Sequence, residues 1–262
     1  MLYKPALPAR YRQVTKGLGV VGAIEVEASP LLEDNQWVLD VIQKDTLFVG
    51  TIGDLEPAKP DFAKQLERFH KNPLFRGIRC GNIWNRDLGE ESKNPTFIAG
   101  LKLLAQAGLT MDSANPDQKL LDGILRVSDA IPSLKIVIDH LAGMPIPKDS
   151  GAYRKTMGDL AKRPHVYVKV SAVLKRTNGV LSTKLADYKP RLDDIYDTFG
   201  PDRLVYGSDW PHSDLLGEYP QVLGIVREYF ATKGRAAEEK YFWKNSVKAY
   251  GWVKREAGQP SA

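Results

Sequence analysis

A parallel α/β barrel of the TIM type is the fold that this 262-residue sequence predicts. Three observations point to it. The length suits one barrel domain spanning 1–262, since α/β barrels of this size fold as single units. Short apolar runs rich in Val, Ile and Tyr alternate with amphipathic stretches, the rhythm of repeated βα units around a parallel sheet. Nearly every apolar run ends on a polar or charged residue, as expected where strand ends build a functional mouth.

Seven strands are predicted, at residues 22–28, 47–53, 77–80, 109–113, 135–140, 166–171 and 204–209. Between them fall helices at 61–71, with Phe62, Leu66 and Phe69 on one face, and at 95–107, where Pro95 suits a first helical turn. Further helices are expected near 118–130, 153–162, 189–199, 219–232 and 236–255. Asn245 and Ser246 are expected to cap the last of these, with Trp243, Tyr250 and Trp252 packed on the barrel exterior and 258–262 unstructured. A closed barrel of this type has eight strands, and the segment before residue 22 reads as a loop and a helix around 11–16. The barrel is therefore expected to lack its first strand in this chain.

Composition narrows the partners. The net charge is +5 and the basic residues form no block that would mark a nucleic-acid or membrane surface, while mild basicity suits a small anionic substrate. No run of apolar residues is long enough to span a bilayer, and residues 1–12 lack a secretory core, so a cytoplasmic enzyme is expected, with a homo-oligomer allowed. A single cysteine, Cys80, excludes an internal disulfide framework and a cysteine-rich zinc site. There is no phosphate-cradling glycine loop, no Gly-x-Ser-x-Gly elbow and no His-Glu-x-x-His.

The chemistry is expected at the strand ends. His140 follows Lys-Ile-Val-Ile-Asp and reaches the rim as a metal ligand, general base or oxyanion donor, or as a histidine that merely bonds within the barrel. Asp139 beside it should point behind the sheet, because successive strand residues alternate in direction. Asp209 closes Leu-Val-Tyr-Gly-Ser-Asp and can activate water or hold a cation; capping is its bland alternative. Arg79 can clamp a substrate carboxylate or sit in a salt bridge. Glu27 and Asp112 are weaker candidates for substrate or metal contact, with buried carboxylates that only satisfy their neighbours as the alternative, and Lys169 is expected to pair with such a carboxylate. Trp210 and His212, in the turn after Asp209, are expected against the substrate, with a loop position near the surface as the alternative for His212, whereas His70 and His165 are read as structural.

These pieces together resemble a known family. Val-Glu-Ala-Ser at 26–29, Gly-Ile-Arg at 77–79, Val-Ile-Asp-His-Leu-Ala-Gly at 137–143, Tyr-Val-Lys-Val-Ser at 167–171, Tyr-Gly-Ser-Asp-Trp-Pro-His at 206–212 and the segment 245–250 resemble, in order, the amidohydrolase-related family, which includes sugar-lactone and 2-pyrone-4,6-dicarboxylate lactonases. The resemblance implies a (β/α)₈ barrel, His140 as a metal or substrate ligand, Asp209 as general base toward water, and Arg79 on the substrate. The family opens with a His-x-His strand, and none of the four histidines here forms such a pair. That departure implies either a truncated chain or a divergent member, with His140 and Asp209 left as the ligands for a divalent metal such as zinc. The expected reaction is hydrolysis of a lactone of a sugar acid or an aromatic-degradation intermediate. The alternatives are non-oxidative decarboxylation and an inactive barrel with a binding role.

Overall fold

The computed structural model describes residues 4–146, 150–177 and 179–260. Seven strands, β1 (Ala23–Val26), β2 (Phe48–Gly53), β3 (Phe75–Gly81), β4 (Thr110–Ala114), β5 (Lys135–Ile138), β6 (Val166–Val170) and β9 (Leu204–Tyr206), form one parallel sheet in that spatial order. Every expected strand is present. A two-stranded hairpin, β7 (Arg176–Thr177) and β8 (Val180–Leu181), interrupts the loop after β6. The sheet curls into a TIM-type barrel whose edges, β1 and β9, each pair on one side only, so the open position lies between them.

Helices cover the outer face because each βα connection returns the chain over the sheet. The helix at Phe62–His70 buries Phe62, Leu66 and Phe69, as its spacing predicts. A helix at Asp34–Ile42 has no counterpart in the sequence reading: its buried positions are Asn35, Leu39 and Ile42, so a polar residue interrupts the apolar stripe. Asn35 is buried because its amide donates to the Asp54 carbonyl and its Oδ1 accepts from the Asp54 N–H, fixing the end of β2.

The end of the chain departs furthest from expectation. The helix expected at 236–255 is divided into Arg235–Glu239, a π-helical turn at Lys240–Lys244 and Asn245–Tyr250, and it stops at Gly251, whose φ of 63° is the left-handed value glycine tolerates. Asn245 is no cap: its side-chain amide donates to the carbonyls of Pro201 and Leu204 and ties the segment to β9. Tyr250 does not lie outside the barrel. It is buried with Ile52, Val137, Tyr167, Val205 and Ala249, Trp252 packs on the same cluster, and together they plug the barrel interior. The Tyr250 hydroxyl donates to Asp112 Oδ2 at 3.0 Å, and an unpartnered phenol would not sit there cheaply. Gln259, within the tail expected to be unstructured, is buried and its amide donates to the carbonyls of Val21 and Thr46; residues 261–262 of that tail lie outside the described residues. Among the described residues, no helix is long and apolar enough to cross a membrane.

Candidate active site

Strand parity decides what faces the interior. Val137 and Tyr167 belong to the inner cluster, so Asp139, Lys169 and Ser171, two or four residues further on, point the same way, while Asp209, past the end of β9 and at a φ of 58°, lines the cavity from the turn. This reverses the expectation for Asp139, which lies inside the barrel rather than behind it. His140 has the opposite parity, yet β5 ends at Ile138 and His140 takes φ 57°, a left-handed conformation in which the chain turns and the alternation ceases. Both neighbours therefore line the same cavity. Gly207 is held to glycine by packing: a Cβ there would stand 2.7 Å from Ser171 Cβ and 2.9 Å from Lys169 Cδ.

Deep in the barrel, five charged side chains alternate in sign. Glu27 Oε1 accepts from Arg79 Nε at 2.8 Å; Arg79 Nη1 lies 3.7 Å from Asp139 Oδ2; Lys169 Nζ lies 2.7 Å from Asp139 Oδ1 and 2.6 Å from Asp112 Oδ2. All are buried or nearly so, a position charges occupy only when matched. Lys169 thus pairs with carboxylates, as expected. Burial pushes Asp112 up to about 7 against the pull of Lys169. Burial draws Lys169 down, but Asp112 and Asp139 outweigh it and the ammonium stays charged.

Above this chain lie His140 and Asp209. His140 Nε2 is 3.8 Å from Asp209 Oδ1, too long for a hydrogen bond, so the two groups flank a point between β5 and β9 rather than close on each other. Both are about one-fifth exposed. On its other side, His140 Nδ1 contacts Ser171 Oγ at 2.9 Å, and Ser171 Oγ also accepts from the His140 backbone N–H at 3.2 Å. With the serine hydroxyl donating to Nδ1, the ring hydrogen sits on Nε2 and faces the point shared with Asp209. Burial lowers the His140 pKa, Asp139 and Asp209 oppose the shift, and Lys169 and Arg79 reinforce it, so the imidazole is neutral near pH 7.

The mouth belongs to a cavity of about 2230 Å³ that reaches the open position between β1 and β9. Glu27, Arg79, His140, Asp209, Trp210 and His212 all line it, while Asp112 lies beneath its floor. Trp210 is fixed by Tyr11, ring centres 5.3 Å apart, and by the Arg10 guanidinium over its face. His212 begins a short turn and is exposed. His165 enters β6 from the opposite end and His70 ends a helix; neither lines the cavity. The sequence marks Ser171 only as a polar strand end and gives no sign of Trp84, whose Nε1 donates to Glu27 Oε2 at 3.1 Å. The parity that sets Tyr167 and Lys169 inward also sets Ser171 inward, so the serine was within reach of a parity count.

Comparison with known proteins agrees with this architecture. Residues 1–252 match the family described as amidohydrolase. The chain is 28% identical over 221 residues to an L-fucono-1,5-lactonase of Burkholderia ambifaria, covering 83% of this chain and 74% of that one. An amidohydrolase structure from Burkholderia multivorans with bound zinc superposes with a TM-score of 0.84 at 21% identity, covering 95% of this chain and 89% of the other. A probable 2-pyrone-4,6-dicarboxylic acid hydrolase from Acinetobacter baumannii, with citric acid bound, gives 0.77 at 18% identity, covering 96% and 92%.

Proposed function

This chain belongs to the amidohydrolase family and is a hydrolase of it, and from that premise we propose that it opens a lactone of a sugar acid, with Asp209 as general base and His140 as oxyanion donor. The observation that carries the reading is that Asp209 meets no Lys or Arg among the described residues. Glu27, Asp112 and Asp139 each hold a cation within ion-pair distance, whereas the neighbour of Asp209 is the neutral imidazole of His140. A carboxylate without a cation is the one free to accept a proton.

In the proposed reaction, a water beside Asp209 gives its proton to the carboxylate as its oxygen attacks the lactone carbonyl. Negative charge passes to the carbonyl oxygen, where the His140 Nε2–H donates to it. Collapse breaks the ring C–O bond, and the leaving alkoxide recovers the proton from Asp209 to give a hydroxy acid. Ser171 keeps the imidazole in the donating tautomer. Trp210 and His212 supply part of the substrate wall.

A zinc ion is bound in the Burkholderia multivorans neighbour. Catalytic zinc draws three protein ligands, and among the described residues no group of three or more His, Cys, Asp or Glu is placed to hold a metal. His140 and Asp209 stand side by side at the mouth, but Glu27 is held by Arg79 and Trp84 and His212 is exposed in the turn, so the described residues do not fit that site, and the steps above assign nothing to a metal.

The test is alkali uptake in a pH-stat with a panel of aldono-lactones, beside carbon dioxide release from aromatic carboxylates. Lactone hydrolysis is expected, falling by about 10²–10⁴ in Asp209→Asn while the unfolding midpoint holds. Hydrolysis by Asp209→Asn at the wild-type rate, or carbon dioxide release alone, contradicts the assignment.

A further inference from the structure

Arg79 is the cation that the sequence offers to an anionic substrate, and the Nε/Nη2 edge of its fork is already taken by Glu27. Nε donates to Glu27 Oε1 at 2.8 Å, Nη2 donates to the Glu27 carbonyl at 2.5 Å, and Nη1 faces Asp139 Oδ2 at 3.7 Å. A substrate carboxylate needs two parallel N–H groups of the fork to dock well. Glu27 is equally committed: its Oε2 accepts from Trp84 Nε1 and from the Ser29 backbone N–H, both at 3.1 Å. The pair is buried, with side-chain exposures of 11% and 5%, and does not swing out without breaking four contacts.

The charge balance around the point runs the same way. Among the described residues at this point, Glu27, Asp139 and Asp209 face two cations, Arg79 and Lys169, before the raised Asp112 is counted, so a negative group on the substrate would meet an excess of carboxylates in a poorly solvated space. Two arginines near the rim are occupied as well: Arg10 bonds Asp214 at 2.6 Å, and Arg191 bonds Asp194 at 2.8 Å together with the Leu141 carbonyl, while Arg227, which also lines the cavity, donates to the Leu18 carbonyl. Lys175 is exposed over Tyr188. What the mouth does present is aromatic surface, Trp84 and Trp210, suited to the face of an uncharged ring.

We propose that the site selects uncharged lactones, and that Glu27 is the specificity-determining residue because it withholds Arg79 from substrate carboxylates. This rests on the lactone-hydrolase reading above and reverses the sign of substrate charge that the overall basicity suggests. Glu27 acts through Arg79 and does not touch the reacting atoms.

The experiment compares an aldono-1,4-lactone with the aldaro-1,4-lactone in which a carboxylate replaces the terminal hydroxymethyl group. Wild-type protein should favour the neutral compound at least tenfold in kcat/KM. Glu27→Gln should narrow that ratio at least tenfold, mainly by lowering KM for the charged lactone, while Glu27→Asp, which keeps the charge, should retain the preference. Binding by tryptophan fluorescence, which needs no turnover, should show the same order in wild type and the same narrowing in Glu27→Gln. Equal or tighter binding of the aldaro-lactone by wild type, or no binding of either compound, overturns the proposal. Absence of hydrolysis with the neutral compound still bound more tightly would instead sink the reaction assigned above and leave charge selection supported.

Discussion

Two groups of acids and bases share this barrel, one beneath the other, and they differ in whether their charges are matched. In the lower group, Glu27, Arg79, Asp139, Lys169 and Asp112 alternate in sign with contacts of 2.6–3.7 Å, and Tyr250 closes the end. In the upper group, His140 and Asp209 stand 3.8 Å apart with a neutral ring facing a carboxylate. Matching makes the lower group rigid and inert. Asp209 meets no Lys or Arg among the described residues, so on the reading proposed above the same residue types build a support in one place and a catalytic pair in the other.

The sharpest way to break the contrast is Lys169→Met. It leaves Asp112 and Asp139 buried without their shared cation and should cost about 3–5 kcal/mol in denaturant unfolding, a loss expected when one partner of a buried ion pair is removed. A loss below about 1 kcal/mol would mean that the lower group contributes little to holding the barrel. Next comes Ser171→Ala, which frees the His140 ring; kcat should fall by up to about 100-fold with the unfolding midpoint unchanged. An unchanged kcat would remove Ser171 from the account.

The smallest effect concerns Glu25, which accepts from Thr51 Oγ1 at 2.5 Å and belongs to neither group. Burial pushes its carboxyl up to about 7, with Thr51 opposing and Glu27 reinforcing. The folded state therefore holds a proton that the unfolded chain releases near pH 4.3, and this group costs no stability below that pH but a growing amount as pH rises to about 7. Glu25→Gln should raise the melting temperature by about 2–4 °C at pH 8 and leave it unchanged at pH 4. An equal gain at both pH values would show that charge is not the cause.

Much of this was legible in the chain. All seven sheet strands follow from short apolar runs and the helix at Phe62–His70 from a period of about 3.6, because the central strands are buried on both faces and the helix on one. His140 and Asp209 were legible because each ends an apolar run. What escaped depends on geometry that periodicity does not encode. Asp139 faces the cavity by the parity of Val137, and the left-handed turn at His140 brings the histidine there as well, so a reading that continues alternation through residue 140 to keep His140 inside assigns Asp139 the wrong face. Tyr250 reads as part of an external helix, yet Gly251 ends the helix and the phenol enters the barrel to meet Asp112. Arg79 reads equally as a substrate clamp or an ion-pair member, and only the position of Glu27, fifty-two residues away, separates the two.

The central claim is that His140 and Asp209 act as one unit on one water and one carbonyl. A double-mutant cycle tests it most directly, with His140→Asn, Asp209→Asn and the double variant, since asparagine tolerates the left-handed backbone that both positions adopt. The account predicts that kcat for lactone hydrolysis in the double variant falls little below that of the weaker single variant. Losses that multiply, as for two residues working independently, would contradict it.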